Sequence, residues 1–430
     1  MGLNKECSRL LKHRQLYRRI LFRKRSMQCN INTTQHIPEP EYDISFLCNP
    51  TNRDIIFNNI AARKATGNID KVLEYSKKPE LKESLLYELS KIPNQTDPTI
   101  LSYGEKPQIL KEYGCKPEFD FKPEQFCELV TKLKSLKSRS LRPLIGQRGY
   151  MLLGDLAELE DALVYYTIGK LTRLGFKLVS VPDIIPTKVI ERCGLITDNE
   201  RTLTYNLDPF YGDSYSLSGT AEMSLAYKVM NTIFDSADLP LKVAAVSRCF
   251  RAEVSNLLEE RGLYRVHQFT KVEMFVCSKQ EESLRLFQEL QEIQENLFSS
   301  LHLHFRIIDM PPHELGAPAY RKVDIEGWMP GRNLYGELSS CSNCTDYQSR
   351  RLGIKYKTKD GEILHVHTLN GTACAIPRML IALCETYQTK HGRIKIPEVL
   401  APYMKEKILI KKQPVANMKL HKYKCDFLNF

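Results

Sequence analysis

The 430-residue chain predicts an α+β fold around an antiparallel sheet, and three observations lead there. Past Leu241, five β-like runs follow one another: LKVAAVSRCF, YRVHQFTKVEMFVC, HFRIIDM, YRKVDIEGWM and ILHVHTLNG. Stretches of helical period sit at 154–176, 281–300 and 377–390, which suits helices laid on one side of the strands. Internal repeats, a Gly-rich phosphate loop and a dinucleotide fingerprint are all missing from the sequence, which turns the reading away from doubly wound nucleotide-binding folds.

The elements follow in order. Residues 1–25 carry nine Lys/Arg and one Glu, so +8 of the formal +11 lies in a leader that interleaves Leu10, Leu11, Tyr17, Ile20, Leu21 and Phe22 with cations. No acid follows Glu6 until Glu39. A basic, amphipathic, acid-poor leader reads as a mitochondrial transit peptide. The alternative is a basic arm for RNA or a membrane surface. Residues 26–52 are polar and read as a linker. From Arg53 to Ile92, apolar positions such as Ile56, Ile60, Val72, Leu81, Leu85 and Leu89 recur among charges, with Gly67 interrupting and Pro93 ending the pattern. This predicts a pair of short helices, a hairpin-like arm. Residues 93–143 form a Pro- and Gly-rich connector whose end carries a basic cluster, Lys132, Lys134, Lys137, Arg139 and Arg142. Such a cluster is either a solvated face or a phosphate contact. Residues 144–404 hold the main domain, in which GDLAELEDALVYYTIGKLTRLGF (154–176) has a helical period and Pro182 closes the β-rich KLVSVPDIIP. The tail, 405–430, is basic from Lys405 to Lys424.

A chain of this length buries a full core. Outside the leader the net charge is only +3, so bulk charge does not by itself argue for nucleic acid. No run approaches the ~20 apolar residues of a membrane span, so no membrane partner is expected. The 13 cysteines are odd in number and scattered, which favours reduced thiols over a disulfide framework. Cys341 and Cys344 have zinc-like spacing but lack a second such pair.

Activating a carboxylate with ATP needs a planar guanidinium at the α-phosphate, an aromatic ring on the base, and oxygen donors for Mg²⁺. An amino-acid substrate adds carboxylates for its ammonium. The chain offers such residues in four blocks: TAE at 220–222; RAE at 251–253 with HQFTKVE at 267–273; ELSSCSNCTDYQSRR at 337–351; and TLNGTACAIPR at 368–378. In this order, and above all in GLYRVHQFTKVEMF, SSCSNCTDYQSRR and HTLNGT, they resemble the seryl-tRNA synthetase family of class II aminoacyl-tRNA synthetases. The resemblance is dense from about residue 140 to 404 and thin upstream through LSKIPNQTDP.

It implies a class II antiparallel-sheet domain with a shortened N-terminal helical arm, ATP and Mg²⁺ as cofactors of an active ligase, and serine tRNA as partner. Thr220, Glu222 and Glu273 would form the serine pocket, with Thr372 reading the hydroxyl. Arg251 and Glu253 would clamp the α-phosphate, Phe269 would stack on adenine, Arg265 and Arg378 would grip the outer phosphates, and Glu337 with Ser340 would hold Mg²⁺. The helix 154–170 with Pro182 would make the dimer.

Departures from the family point the other way. EVSNLLEERG is one residue shorter than the family's E-x-G-x-x-G-[RK]-D-T-R-G loop, lacks both its glycines, and puts Glu259 and Glu260 where cations are expected. A carboxylate facing triphosphate repels it. In ACAIPR, Ala373 adds a methyl where backbone would approach substrate, and Pro377 removes a donor before Arg378. Gly327 stands where the family usually has Val. An arm of about forty residues makes helices of roughly 30 Å at most, half the family's reach. These departures resemble the non-ligase, seryl-tRNA synthetase-like branch of insect mitochondria. The expectation is therefore a mitochondrial protein of that fold that binds tRNA and a partner subunit, as a homodimer or a heterodimer with an active synthetase, without ligase activity and with no cofactor. The alternative is an active mitochondrial serine–tRNA ligase.

Overall fold

The computed structural model describes residues 37–412, less 139–142, 144–145, 147, 198–201, 209–213 and 255–261. The leader 1–25, Arg139, Arg142, the SNLLEE segment with Glu259 and Glu260, and the tail beyond Lys412 lie outside the described residues.

The core is one eight-stranded sheet. Its strands are β1 (Gln108–Tyr113), β2 (Lys177–Leu178), β3 (Leu241–Phe250), β4 (Gln268–Ser278), β5 (Phe305–Asp309), β6 (Arg321–Met329), β7 (Leu334–Asn343) and β8 (His367–Ala375). Their spatial order is β1-β5-β6-β7-β8-β4-β3-β2. All neighbouring pairs run antiparallel except β2, which lies parallel to β3. Each of the five β-like runs therefore holds a strand of the sheet. The ILHVHTLNG run divides, giving Ile363–His365 to a small separate sheet and His367 onward to β8. Two strands escape the sequence reading. β1 lies in the stretch read as connector, all but unburied along its length, with too little apolar alternation to announce itself. β7 is hidden in a block of Ser, Cys and Asn whose small side chains carry no period-2 pattern.

Side-chain alternation assigns the two faces. On β4, Val272, Met274 and Val276 point into the larger apolar core, against α4 (Asp155–Arg173), α6 (Ser283–Ser299) and α8 (Ile376–Thr386). Residues of opposite parity, Phe275 and Cys277, enter a second core with α5 (Ala221–Lys228) and α7 (Tyr347–Leu352). Lys271 and Glu273 share that second parity, which puts them on the face opposite the three long helices.

The arm differs from expectation. Residues 53–92 make three short helices, α1 (Arg53–Ala62), α2 (Ile69–Tyr75) and α3 (Lys82–Ser90), around Ile56, Ile60, Ile69, Val72, Leu89 and Ile92. The longest has 10 residues, about 15 Å of helix. Pro79, at the start of a 3-10 turn, and the α2 cap Asn68, whose side chain accepts the Lys71 N–H, divide what periodicity alone reads as a hairpin. At Gly67 a Cβ would stand 2.9 Å from Ile92 Cδ1 and 3.0 Å from the Lys91 carbonyl, so glycine lets the α1–α2 link pass the end of α3. The arm is docked rather than extended. The buried guanidinium of Arg63 donates to the carbonyls of Asn94 (3.2 Å), Ala319 (2.8 Å) and Gly316 (2.5 Å), and to Thr96 Oγ1 (3.3 Å).

Candidate functional site

A cleft opens on the second face of the sheet. It is lined by Arg251, Glu253, Arg265, Phe269, Glu337, Ser340, Thr372 and Arg378, together with Tyr264, Lys271 and Pro377. All seven side chains read from the sequence as nucleotide-binding thus meet in one place, although they come from segments more than 100 residues apart. Register explains the convergence. β4 pairs with β3 at one edge and β8 at the other, so the residue following β3 (Arg251), the outward residues of β4 and Thr372 of β8 fall side by side.

Arg251 is aimed by two contacts. Its Nε donates to the Gly219 carbonyl at 3.3 Å, and its guanidinium lies 5.3 Å from the centre of the Phe269 ring. Glu253 is buried and accepts from Arg265 Nη1 at 2.8 Å. Arg378 donates through Nε to the Tyr264 carbonyl and through Nη1 to the Glu337 carbonyl, both at 3.2 Å, and pairs with the Glu337 carboxylate at 3.1 Å. Burial works to raise the pKa of Glu337, but Arg378, Lys322 and Arg251 outweigh it and hold the group at about 2. Glu337 is therefore an ionised oxygen donor at any working pH, beside the Ser340 hydroxyl. Such a hard donor set suits Mg²⁺ bound to phosphates.

A cluster of polar side chains adjoins this cleft and shares Lys271 and Thr372 with its lining. Thr220 caps α5: its Oγ1 accepts the Glu222 N–H at 3.4 Å, which leaves the Glu222 carboxylate in the helix's first turn, where the helix dipole favours an anion. Lys271 Nζ donates to Thr220 Oγ1 at 2.8 Å and to Thr372 Oγ1 at 3.3 Å, and forms a close ion pair with Glu273. Thr372 Oγ1 in turn donates to Glu273 Oε2 at 3.2 Å, and the two residues are directly opposed in the β4–β8 ladder. Burial and the nearby Glu273 charge push Glu222 up to about 7. Sequence reasoning passed over Lys271, although Phe269, Lys271 and Glu273 alternate along one strand face and the signal was available in HQFTKVE. It also passed over Tyr264, whose Oη accepts the Glu337 N–H at 2.8 Å, and Gln294. The Gln294 Nε2 reaches the carbonyls of Ser340 and Thr372, both at 2.9 Å, from α6 beneath the sheet. No spacing in the sequence marks either one.

Two expected departures dissolve. Ala373 does not face substrate. The β4–β8 register skips it, so it is the extra residue of a β-bulge opposite Val272 and Glu273, and its methyl packs in the larger core. Pro377 sits in the first turn of α8, where its missing N–H has no helical acceptor to lose and its fixed φ suits the helix. Arg378 follows it directly and is well placed.

Among the basic residues assigned to RNA, Lys132, Lys134 and Lys137 are exposed and away from the cleft lining. Lys132 pairs with Glu124 at 2.7 Å. At the start of the tail, Lys405 reaches Glu158 at 3.5 Å and Lys407 reaches Asp155 and Glu158, both at 2.6 Å. These two lysines are tied to the first turn of α4.

Comparison with known proteins agrees with the fold. Residues 205–387 match the tRNA synthetase class II core domain (G, H, P, S and T), so sheet and cleft are of that class. The chain is 42% identical to the mitochondrial serine–tRNA ligase of Bos taurus over 356 residues, which cover 82% of this chain and 68% of that protein. It is similar to the seryl-tRNA synthetase of Pyrococcus horikoshii complexed with ATP (TM-score 0.74, 30% identity, 86% of this chain and 90% of that one). It is likewise similar to the cytoplasmic serine–tRNA ligase of Naegleria fowleri in complex with AMP (TM-score 0.76, 29% identity, 87% of this chain and all of that one). The chain belongs to the seryl-tRNA synthetase family.

The expectation of a non-catalytic paralogue without cofactors is corrected by these findings. The relatives are ligases, one solved with ATP and one with AMP, and nothing among them supports an insect-type non-ligase branch. The expectation rested on three departures together, and one of them, Ala373 with Pro377, proves to be a bulge residue and a helix start. A heterodimer with a separate active synthetase loses its basis with it.

Proposed function

We propose that this chain is an active mitochondrial serine–tRNA ligase, which uses ATP to join serine to serine tRNA. The observation that carries the reading is the polar cluster of Thr220, Glu222, Glu273 and Thr372 around Lys271, which shares Lys271 and Thr372 with the lining of the cleft held by Arg251 and Arg378. In the first step a serine carboxylate oxygen attacks the α-phosphorus of ATP and pyrophosphate leaves. Arg251 stabilises the charge that gathers on the α-phosphoryl oxygens, and Phe269 packs on the base. Arg265 and Arg378 hold the departing phosphates. Mg²⁺, when bound, offsets phosphate charge, with Glu337 and Ser340 as the residues that would hold it. In the second step the tRNA 3′-terminal hydroxyl attacks the seryl carbonyl and AMP leaves. The pocket is specific for serine through Thr372 and Glu273 at its hydroxyl and Glu222 at its ammonium.

The partners follow from the same reading. tRNA contacts are assigned to the exposed Lys132, Lys134 and Lys137 with Arg139 and Arg142, and to the basic tail, and the subunits pair as a homodimer through α4. The relative named as mitochondrial and the acid-poor basic leader both support a mitochondrial address.

Pyrophosphate exchange on protein lacking residues 1–25 tests the activity. Exchange is expected to require serine, ATP and Mg²⁺ together and to vanish in Arg251→Ala. Absence of serine-dependent exchange in the parent protein sinks the ligase reading. RNA binding followed across a salt series should weaken as salt rises, with a shallower slope when Lys134 and Lys137 are neutralised.

A further inference from the structure

Resting on the ligase reading, we propose that Gln348 is a positioning residue for the amino-acid site, holding Glu222 as the single uncompensated carboxylate that receives the substrate's ammonium. Gln348 is fully buried on α7, inside the SSCSNCTDYQSRR block but with no role read for it from the sequence. Its Nε2 donates to Glu222 Oε1 at 2.6 Å. Its Oε1 accepts from Thr368 Oγ1 at 2.7 Å, and Thr368 is itself fully buried on β8, the strand that also carries Thr372. The two contacts fix the amide's orientation, since turning it over would set its carbonyl oxygen against the carboxylate and its NH₂ against a hydroxyl already placed to donate. The Cys193 carbonyl, 3.5 Å from Nε2, reinforces the same orientation.

Charge balance gives this contact its meaning. The cluster holds two carboxylates, Glu222 and Glu273, and one ammonium, Lys271, while the Arg251 guanidinium beyond it is assigned to the ATP phosphate. Lys271 is committed to Glu273 and to the hydroxyls of Thr220 and Thr372. One negative charge is therefore left, on Glu222, to match the one positive charge of an α-ammonium. Glu273 is left to work through its neutralised oxygen on the Thr372 side, where a hydroxyl belongs. The groups facing Glu222 are Glu273 and Lys271 from β4, Arg251 from the end of β3, Gln348 from α7, and the Cys193 and Cys344 thiols, which burial and Glu222 itself keep well above their ordinary range and so uncharged. Burial and Glu273 work against ionisation of Glu222. Gln348, Lys271 and Arg251 oppose them. Of those three, Gln348 is the one that hydrogen-bonds the carboxylate among the described residues. A hydrogen bond donated to a charged group favours the ionised form, so the amide, with Lys271 and Arg251, raises the charged fraction of Glu222.

The test is the pH profile of serine activation in the full chain, followed by pyrophosphate exchange, for Gln348→Met and Thr368→Val. Methionine keeps the length of the side chain and cannot donate. At pH 7 the KM for serine in Gln348→Met is expected to rise about tenfold, the scale of one lost hydrogen bond to a charged group, with kcat changed much less. The acid limb of kcat/KM for serine should move up by about one pH unit, so that the deficit narrows at pH 9. Thr368→Val, which unlatches the amide without removing it, should shift the limb in the same direction by less, and Thr368→Ser should restore it. A uniform loss at every pH, with the limb unmoved, would show Gln348 to be mere packing and overturn the proposal. Should Gln348→Met lower the melting midpoint steeply, the Thr368→Val and Thr368→Ser pair still decides by the position of the limb. Absence of exchange in the unsubstituted chain is a different result, the failure of the ligase reading itself.

Discussion

Gly327 and Leu338 occupy one space between them. A Cβ built on Gly327 would stand 2.4 Å from Leu338 Cδ1, and Leu338 is buried in the core beneath the sheet. The glycine that departs from the family's usual valine is thus a packing choice on neighbouring strands β6 and β7. Gly327→Val is expected to destabilise by about 1–3 kcal/mol through overpacking. Leu338→Ala should lose stability alone yet recover part of it when combined with Gly327→Val. A double-mutant cycle on thermal unfolding reads this coupling, and strict additivity would refute the shared space.

Ala373→Gly tests where that methyl lies. If it faces substrate, glycine should improve ATP or serine binding. With the methyl in the core, glycine is expected to cost about 0.5–1 kcal/mol of stability and to leave both KM values within twofold. Chemical denaturation and steady-state exchange measured on one preparation separate the two cases.

Glu222 links activity to stability. Its pKa is raised in the folded protein to about 7, so the folded state binds a proton that the unfolded chain has already released above its ordinary carboxylate range. Stability is therefore lost as pH rises from that range through 7, while serine binding, on the proposed role of Glu222 at the ammonium, is expected to be gained over the same window. Glu222→Gln is expected to raise stability at pH 8 by up to about 3 kcal/mol and to abolish serine-dependent exchange. Glu337, held at about 2, should contribute nothing to the limb near neutrality. Thermal midpoints of both proteins at pH 5.5 and 8 check the sign: the difference should be large at the higher pH and narrow at the lower.

Arg63 fastens the arm to the main domain through five acceptors, four of them carbonyls. A lysine cannot reproduce the planar fork, so Arg63→Lys should cost roughly 2 kcal/mol and expose 37–103 to proteolysis before the sheet domain. Limited proteolysis that cleaves both regions together would argue against a separate docking role.

Much of this protein could be read from residue types alone. The α+β class, the five strand runs, the three long helices and the identity of the residues around the cleft are all written in periodicity and in four short blocks, because a strand or helix face and the chemistry of a phosphate or ammonium depend mainly on local side chains. Only the tertiary structure decided the rest. That β1 completes the sheet, that 53–92 folds into three docked helices, and that Ala373 turns into the core are matters of register and packing between segments far apart in sequence. The same holds for the pocket's charge. Lys271 and Gln348 lie within blocks legible in the chain, but they acquire their roles only where β4, β8, α5 and α7 bring two carboxylates, one ammonium and one amide out of water together.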